Sequence, residues 1–369
     1  MSAHRTAPRP RPRAFLGWSA LAGLHIAIVA GWTVFAGRAA AAAAVAGRTA
    51  SVASGAAVLI LGALVLAPSA EATFSIVARD PETGQIGAAV QSHWFQVSRV
   101  ISVEPGVGAV ASQSLADFAY GPAALELLSL GRSAEKTLEG LLASDTAPQY
   151  RQVAVLDADG GVAVHTGESC IAGAGHVKGE HYSVQANLME LDTVPEAMAK
   201  AFLGTEGDLA ERMMAALEAA QAERGDIRGQ QSAAMIVVSP ESSGREWEDR
   251  IFDLRVDDHP EAVAEMRRVL TVARAYRSMN EGDLAIERAD FEAAERAYGL
   301  AVELAPGNPE PRFWYAVSLV NADRVDAAVR ELAAIYAEYP IWRELPERLR
   351  AVGLLPDEDE LIRRLTEAD

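Results

Sequence analysis

The sequence predicts an α+β fold, with two β-sheets covered by helices and an all-helical region after them. Between Thr73 and Val238, strand-like and helix-like segments follow one another in the order strands, helices, strands, helices, strands. After Pro260 the chain changes to helical patterning that continues to its end. We therefore expect one domain over residues 73–260 and a helical domain over residues 261–369.

Seven segments have the composition of strands and pair through turn residues. Residues 80–84 and Asp159-Gly160 carry the Asp, Pro and Gly that reverse a chain between strands, so their neighbours form hairpins. The predicted strands are residues 73–79, 85–91, 100–103, 107–112, 152–157, 161–166 and 231–238. The predicted helices are residues 121–130, a helix capped by Ser133, and a long helix over about 194–224.

The charge of the chain excludes some partners. It has 33 basic and 51 acidic side chains and a formal net charge of −18. Residues 1–72 hold six arginines and one acid, so the remaining 297 residues carry 27 basic and 50 acidic groups, a charge of −23. Such a body repels phosphate backbones and anionic lipids. We expect no nucleic acid partner, and membrane contact only through the N-terminal segment.

No motif for a metal or a cofactor is present. Cys170 is the only cysteine, and the sequence contains neither a CxxC pair nor an HExxH helix. We therefore expect no metal site and no cofactor. Cys170 and His176 form an alternative thiol–imidazole pair, although two glycines between them leave its geometry open.

Two apolar segments occupy the N-terminal 72 residues. The first, residues 14–37, is long enough to span a bilayer. The second ends in Ala70-Glu71-Ala72, with small residues at the two positions that signal peptidase reads, which predicts a signal peptide over about 45–72. Residues 1–44 are either an extra transmembrane span or sequence upstream of the true start. The protein is expected to be periplasmic or extracellular, or membrane-tethered if this segment is retained.

Cleavage after Ala72 makes Thr73 the first residue of the mature protein. An N-terminal threonine combines a hydroxyl nucleophile with an α-amine whose reference pKa is about 7.7–8.0. The amine then accepts the hydroxyl proton, as an amide-cleaving site requires. Chance is the alternative, because many exported proteins begin with threonine.

Several blocks of the first domain resemble a known family. They are residues 73–80, 106–113, 120–122, 166–170, 172–176, 185–187 and 254–260. In this order they are similar to the uncharacterised bacterial family catalogued as domain of unknown function 1028, of the N-terminal-nucleophile (Ntn) hydrolase-like superfamily. The resemblance implies an αββα sandwich and an amide-cleaving Thr73, and supplies no substrate. Cytoplasmic members start Met-Thr-Phe, so two processing routes expose the same threonine.

Four residues are the predicted catalytic set. The Thr73 hydroxyl attacks a carbonyl, its amine acts as general base through a water, and the acyl-enzyme is hydrolysed. Ser112 and Gln113, at the end of a predicted strand, are the first candidates for oxyanion donors, and Asn187 is the second. Ordinary capping or sheet-edge hydrogen bonding is the alternative for each donor.

Three more residues are predicted to bind substrate. Gln91 and Ser92 end the strand that pairs with the Thr73 strand, and His176 follows a glycine-rich segment. The substrate is expected to be a small-molecule or peptide amide.

The helical domain contains a repeat of 34 residues. Residues 292–294 and 326–328 are similar, and Pro306 and Pro340 share the same spacing. This period is typical of tetratricopeptide repeats, with a plain helical bundle as the alternative. Two repeats are fewer than an independent array needs, so we expect them to pack on the first domain and to offer a surface to a protein partner.

Two classes of function are open. The first is an exported Ntn-type amidohydrolase, and the second is a non-catalytic scaffold, exported or membrane-tethered, that binds through its repeats. Proteasome-type sites use a lysine near the nucleophile, and residues 73–135 contain none. In the first class Arg79 or Arg99 supplies that charge, and in the second the site is dead.

Overall fold

The structure, a computed structural model, describes residues 72–369, so both predicted N-terminal segments lie outside the described residues. The strands are β1 (Thr73–Arg79), β2 (Ile86–Ser92), β3 (Ile101–Glu104), β4 (Gly108–Ser114), β5 (Arg151–Asp157), β6 (Val162–Thr166), β7 (Gly175–Gly179), β8 (Tyr182–Asn187), β9 (Ser232–Val238) and β10 (Arg250–Val256). The helices are α1 (Tyr120–Ser129), α2 (Ala134–Ser144), α3 (Val194–Gly204), α4 (Leu209–Ala222), α5 (Glu246–Asp249), α6 (Ala262–Glu287), α7 (Phe291–Leu304), α8 (Pro309–Asn321), α9 (Val325–Glu338), α10 (Leu345–Ala351) and α11 (Asp359–Thr366). None of these helices is long and apolar enough to cross a membrane.

The strands form two antiparallel sheets. The large sheet has the order β10-β9-β2-β1-β8-β7, and the small sheet has the order β3-β4-β5-β6. The sheets face each other across a buried apolar cluster that includes Val77 and Val90 from the large sheet and Ala111 and Leu156 from the small one. Because side chains alternate along a strand, the other half of each strand faces outward.

Helices cover both outer faces. Helices α3, α4 and the first half of α6 pack on the large sheet, where Phe74, Phe202 and Met213 are fully or almost fully buried. Helices α1 and α2 pack on the small sheet through Tyr120 and Leu138. Each large apolar side chain buried this way contributes about 1.5–3 kcal/mol. The order of layers is therefore helices, sheet, sheet, helices.

Most predicted elements are confirmed, while the structure corrects one predicted helix and adds three strands. The hairpins around residues 80–84 and 158–161 form, and Ser133 caps α2 by accepting from Lys136 N. The long helix predicted over 194–224 is wrong as one element, because it breaks between Gly204 and Leu209. Three strands, β7, β8 and β10, were not predicted, and β8 pairs directly with β1.

The C-terminal region is all-helical within the described chain. Helices α7 and α9 begin at Phe291 and Val325, which reproduces the spacing predicted from sequence. The first half of α6 belongs to the core of the large sheet, and its second half, through Met279 and Ala285, packs on Tyr298 of α7. Helix α6 therefore connects the two regions without a break.

Asp145 joins three segments at one end of the sandwich. Its carboxylate accepts hydrogen bonds from Tyr120 Oη (2.9 Å), Ala147 N (2.8 Å) and Arg151 Nε (2.7 Å). Arg151 also donates to the carbonyl of Leu115. The Arg151 guanidinium, followed by the other donors, lowers the pKa of Asp145 from its usual value to about 2, against the effect of burial.

We expect Asp145→Asn to lower the free energy of unfolding by about 1.5–3 kcal/mol at pH 7, because a charge-assisted pair is lost. The folded-state pKa lies below the unfolded value of about 3.9, so this contribution is present above pH 4 and is lost as pH falls towards 2. Urea unfolding at pH 7 and at pH 3 measures it. The exposed Asp159→Asn is the control, and equal losses for both variants would contradict the assignment.

Candidate functional site at the start of β1

Thr73 lies in the middle of the large sheet, at the first position of β1. It is directly opposite Ser92 at the end of β2 and Asn187 at the end of β8. Residues opposite one another in an antiparallel pair share a face, so these three side chains project from the same face, towards the small sheet. All three are buried. The fold thus brings two sequence-predicted residues, Ser92 and Asn187, next to Thr73.

Two side-chain amides hold the main-chain carbonyl of Thr73. Gln113 Nε2, from β4 of the small sheet, donates to Thr73 O at 2.9 Å. Asn187 Nδ2, from the large sheet, donates to the same oxygen at 3.4 Å. Thr73 is therefore fixed from both sheets at once. These contacts position the threonine itself.

Gln152, which the sequence analysis did not single out, completes this amide network. Its Oε1 accepts from Gln113 Nε2 (2.8 Å) and from Asn187 Nδ2 (3.1 Å). Its Nε2 donates to Ala186 O and to Thr166 Oγ1, each at 2.9 Å. Buried amides are costly unless they are paired, and here each amide satisfies the next. A glutamine at the start of a predicted strand, on its inward face, was the available signal.

The hydroxyl of Thr73 belongs to a second group of contacts. Thr73 Oγ1 donates to Ser92 Oγ at 3.1 Å, and Ser92 Oγ donates to the carbonyl oxygen of Ala72 at 2.5 Å. Arg228 Nη2 donates to that same oxygen at 2.9 Å. Two donors therefore converge on a carbonyl beside a hydroxyl. This is the arrangement that stabilises negative charge developing on a carbonyl oxygen.

Arg228 is the cation near Thr73, and it was missed from sequence. It lies in the loop between α4 and β9 and is held by Asp226, whose Oδ1 accepts from Arg228 Nε (3.1 Å) and whose Oδ2 accepts from Nη2 (2.9 Å). The Asp226 side chain is fully buried and also accepts from His93 N. The Asp-x-Arg spacing between two glycines, just before a strand, was the only signal for it.

Two of the predicted residues face away from Thr73. Ser112 follows Val110 on the outer face of the small sheet, where its hydroxyl donates to Asp117 O at 3.2 Å. Gln91 follows Ala89 on the outer face of the large sheet, and its amide atoms are buried without a hydrogen-bond partner among residues 72–369. The structure does not bring either side chain to Thr73.

His176 reaches the site only indirectly. It lies on β7, and its Nδ1 is 2.9 Å from Thr166 Oγ1, the same hydroxyl that accepts from Gln152. Burial, together with nearby His165 and Lys178, lowers the pKa of His176, so the ring is neutral at pH 7. Cys170 makes a separate contact, its thiol donating to Arg151 O at 3.4 Å, and within residues 72–369 the structure shows no hydrogen bond between this thiol and His176.

Exposed apolar side chains surround this end of the sandwich. They lie in the loops that adjoin β2, β4, β8 and β9 on the Thr73 side, and they are Phe95, Phe118, Leu191 and Ile227. The Arg99 guanidinium lies 4.5 Å from the centre of the Phe118 ring. Arg79 instead lies at the far end of β1. Of the two arginines suggested from sequence, only Arg99 is at the Thr73 end.

The chain is similar to proteins of one family along its first domain. Residues 73–266 match the model of a family of unknown function, DUF1028, and residues 285–344 match a tetratricopeptide repeat model. A crystal structure of a Silicibacter pomeroyi protein described under DUF1028 has 30% sequence identity and a TM-score of 0.49, covering 55% of this chain and 89% of that one. None of the proteins of curated function matches this chain.

We expect Gln152→Met to lower the free energy of unfolding by about 2–5 kcal/mol, because the Gln113 and Asn187 amides each lose a buried acceptor. Urea unfolding measures the loss. Gln149→Met makes the same change at a partly exposed side chain and is expected to stay within about 0.5 kcal/mol of wild type. A Gln152 variant as stable as this control would contradict the network.

Proposed function

We propose that this chain, which belongs to DUF1028, a family of unknown function, is an exported hydrolase of the Ntn type with Thr73 as nucleophile. The proposal rests on the geometry of the site. The bond cleaved is an amide or related C–N bond in a small molecule or peptide. One observation carries the proposal. The Thr73 hydroxyl contacts Ser92, and the carbonyl beside it is held by Ser92 and Arg228.

The chemistry begins when cleavage after Ala72 turns the Thr73 nitrogen into an α-amine. Its reference pKa of about 7.7–8.0 leaves a fraction neutral near pH 7. The amine takes the Oγ1 proton through a water, and Oγ1 forms a bond to the substrate carbonyl carbon. Collapse of the tetrahedral intermediate breaks the C–N bond, and the departing nitrogen takes that proton. Water then hydrolyses the ester and restores the hydroxyl.

Ser92 and Arg228 are the donors that we assign to the oxyanion. In the uncleaved chain both donate to Ala72 O, and this oxygen departs with the N-terminal segment. A substrate carbonyl that takes its place beside Thr73 Oγ1 meets the same two donors. Gln113 and Asn187, expected from sequence to serve the oxyanion, instead hold the carbonyl of Thr73 and fix the nucleophile.

The layers of the fold support this assignment. Two facing sheets with helices on both outer faces agree with the αββα sandwich of the Ntn superfamily, and the nucleophile opens a strand in the middle of one sheet. Export is part of the proposal, since the signal segment ends where the catalytic strand begins. The cation that Ntn-type sites place near the nucleophile is here Arg228.

Thr73→Ala is expected to abolish hydrolysis in a panel of amide and anilide substrates, while Thr73→Ser retains part of it. A β-lactone probe tests the same atom, because Oγ1 attack opens the ring and leaves the whole probe as an ester. Intact mass then shows one adduct on the mature chain. Thr193→Ala, an exposed threonine, is the control. Hydrolysis or an adduct that survives in Thr73→Ala would contradict the proposal.

Ser92→Ala and Arg228→Gln are each expected to lower kcat about 10²-fold or more, since each removes a donor that acts on the transition state. Steady-state kinetics on any substrate that the panel identifies measures the loss. Arg224→Gln changes an exposed arginine of the same segment, paired with Glu190, and is expected to keep kcat. A change confined to KM in Ser92→Ala and Arg228→Gln would contradict the oxyanion role.

A second function is favoured by the C-terminal region. The tetratricopeptide repeat match over residues 285–344 supports binding of a protein partner through these helices. Such binding accompanies the hydrolase activity in the first proposal. If the Thr73 site is inactive, partner binding is the function of the protein, which is then an exported or membrane-tethered scaffold.

A further inference from the structure

A cleft lies at the opposite end of the strand that carries Thr73. It has a volume of about 430 Å³, within the about 300–1,000 Å³ typical of ligand pockets. Arg79, the last residue of β1, and Tyr182, the first residue of β8, contribute to its wall. Six residue steps of strand separate Arg79 from Thr73, about 20 Å, so the cleft is distinct from the site described above.

Arg79 supplies a cation without a matching carboxylate. Its Nε is buried and has no hydrogen-bond partner among residues 72–369. Most arginines of this acidic chain that the structure describes are in ion pairs, and Arg79 is not. A buried guanidinium nitrogen with no acceptor is costly unless a ligand supplies one. The positive charge of Arg79 in the cleft wall is therefore one that an anionic ligand would balance.

Arg212 adds a second cation from helix α4. Its guanidinium lies 4.3 Å from the centre of the Phe202 ring, and its Nη1 is 3.8 Å from Asp80 Oδ2. Asp80 also accepts hydrogen bonds from the main-chain amides of Glu82 and Thr83 through Oδ1. Its negative charge is therefore stabilised by the turn as well as by Arg212. Arg212 is thus held in place by an aromatic face and by a long ion pair.

The acidic group in the cleft wall is turned outward. The Glu180 side chain is 89% exposed, and its carboxylate lies 3.7 Å from His181 Nε2. The main-chain carbonyl of His181 accepts from Arg79 N, which fixes this loop against the end of β1. The two guanidinium groups therefore dominate the charge of the cleft.

The rest of the cleft is apolar. The rings of Tyr182 and Phe202 pack with centroids 5.0 Å apart, and Pro81 also lines the cleft. Leu203 projects from the rim with 63% of its surface exposed. The two rings are themselves buried, so the apolar surface that a ligand body covers here is that of Pro81 and Leu203. Positive charge and exposed apolar surface in the same cleft match a ligand with both features.

We propose that this cleft binds a small organic carboxylate with an apolar body. The carboxylate accepts hydrogen bonds from Arg79 and lies near Arg212, and the body packs on Pro81 and Leu203. Arginine is suited to this role, because its planar group matches a carboxylate with two parallel hydrogen bonds. The site is independent of hydrolysis at Thr73.

Calorimetric titration of the full chain with benzoate and with hexanoate tests the site. We expect saturable binding with one ligand per chain for at least one of them. Benzamide, hexanamide and inorganic phosphate are expected to bind at least tenfold more weakly, since each lacks either the charge or the body. Arg79→Gln is expected to weaken carboxylate binding about tenfold or more, and Arg132→Gln, an exposed arginine elsewhere, is expected to leave it unchanged.

Leu203→Asp keeps the proposal testable if Arg79→Gln is unstable. The side chain is exposed, so the fold tolerates the change, and the new carboxylate is expected to repel the ligand and weaken binding about tenfold. Three results would overturn the proposal. They are no saturable carboxylate binding, amides or phosphate binding as tightly as the carboxylates, and equal losses in Arg79→Gln and Arg132→Gln.

Discussion

The carbonyl oxygen of Thr73 accepts hydrogen bonds from two buried amides, and the rest of the site depends on this clamp. Gln113 reaches it from the small sheet and Asn187 from the large one, so the separation of the sheets and the position of Thr73 are set together. Gln152 fixes both amide side chains, because its Oε1 accepts a hydrogen bond from each of them. An unpaired buried amide costs about 1–3 kcal/mol, which makes any looser arrangement unfavourable. The Thr73 hydroxyl is consequently fixed beside Ser92.

The fold could be predicted from sequence where strands are rich in β-forming residues and their turns are marked. Hairpins β1–β2 and β5–β6 are joined by turns that contain glycine, and both were found. Strand β8 alternates apolar Tyr182, Val184 and Ala186 with polar residues, and all six of its residues are buried. It was missed because sequence does not show that these polar side chains are buried between two sheets. Its inward face carries Gln185 and Asn187, which resemble a loop in composition. The break between α3 and α4 was missed because the apolar period runs across it.

The site was predictable only in part, because the sequence shows where a residue lies along a strand but not which face of the sheet its side chain is on. Gln113 and Ser112 are neighbours at the end of β4, and the alternation of strand residues sends one to Thr73 and the other to the outer face. The same alternation separates Ser92 from Gln91. Arg228 was not predictable in this way, since it comes from a loop 155 residues away along the chain and meets Thr73 through tertiary packing.

The central claim is that Thr73 becomes the N-terminal nucleophile. Intact mass and N-terminal sequencing of the protein isolated from its native host test this most directly. The account predicts a mature chain that begins at Thr73, with a free amine beside the hydroxyl. A mature chain that keeps Ala72 or earlier residues would contradict it, because the Thr73 nitrogen would then be a peptide amide that accepts no proton.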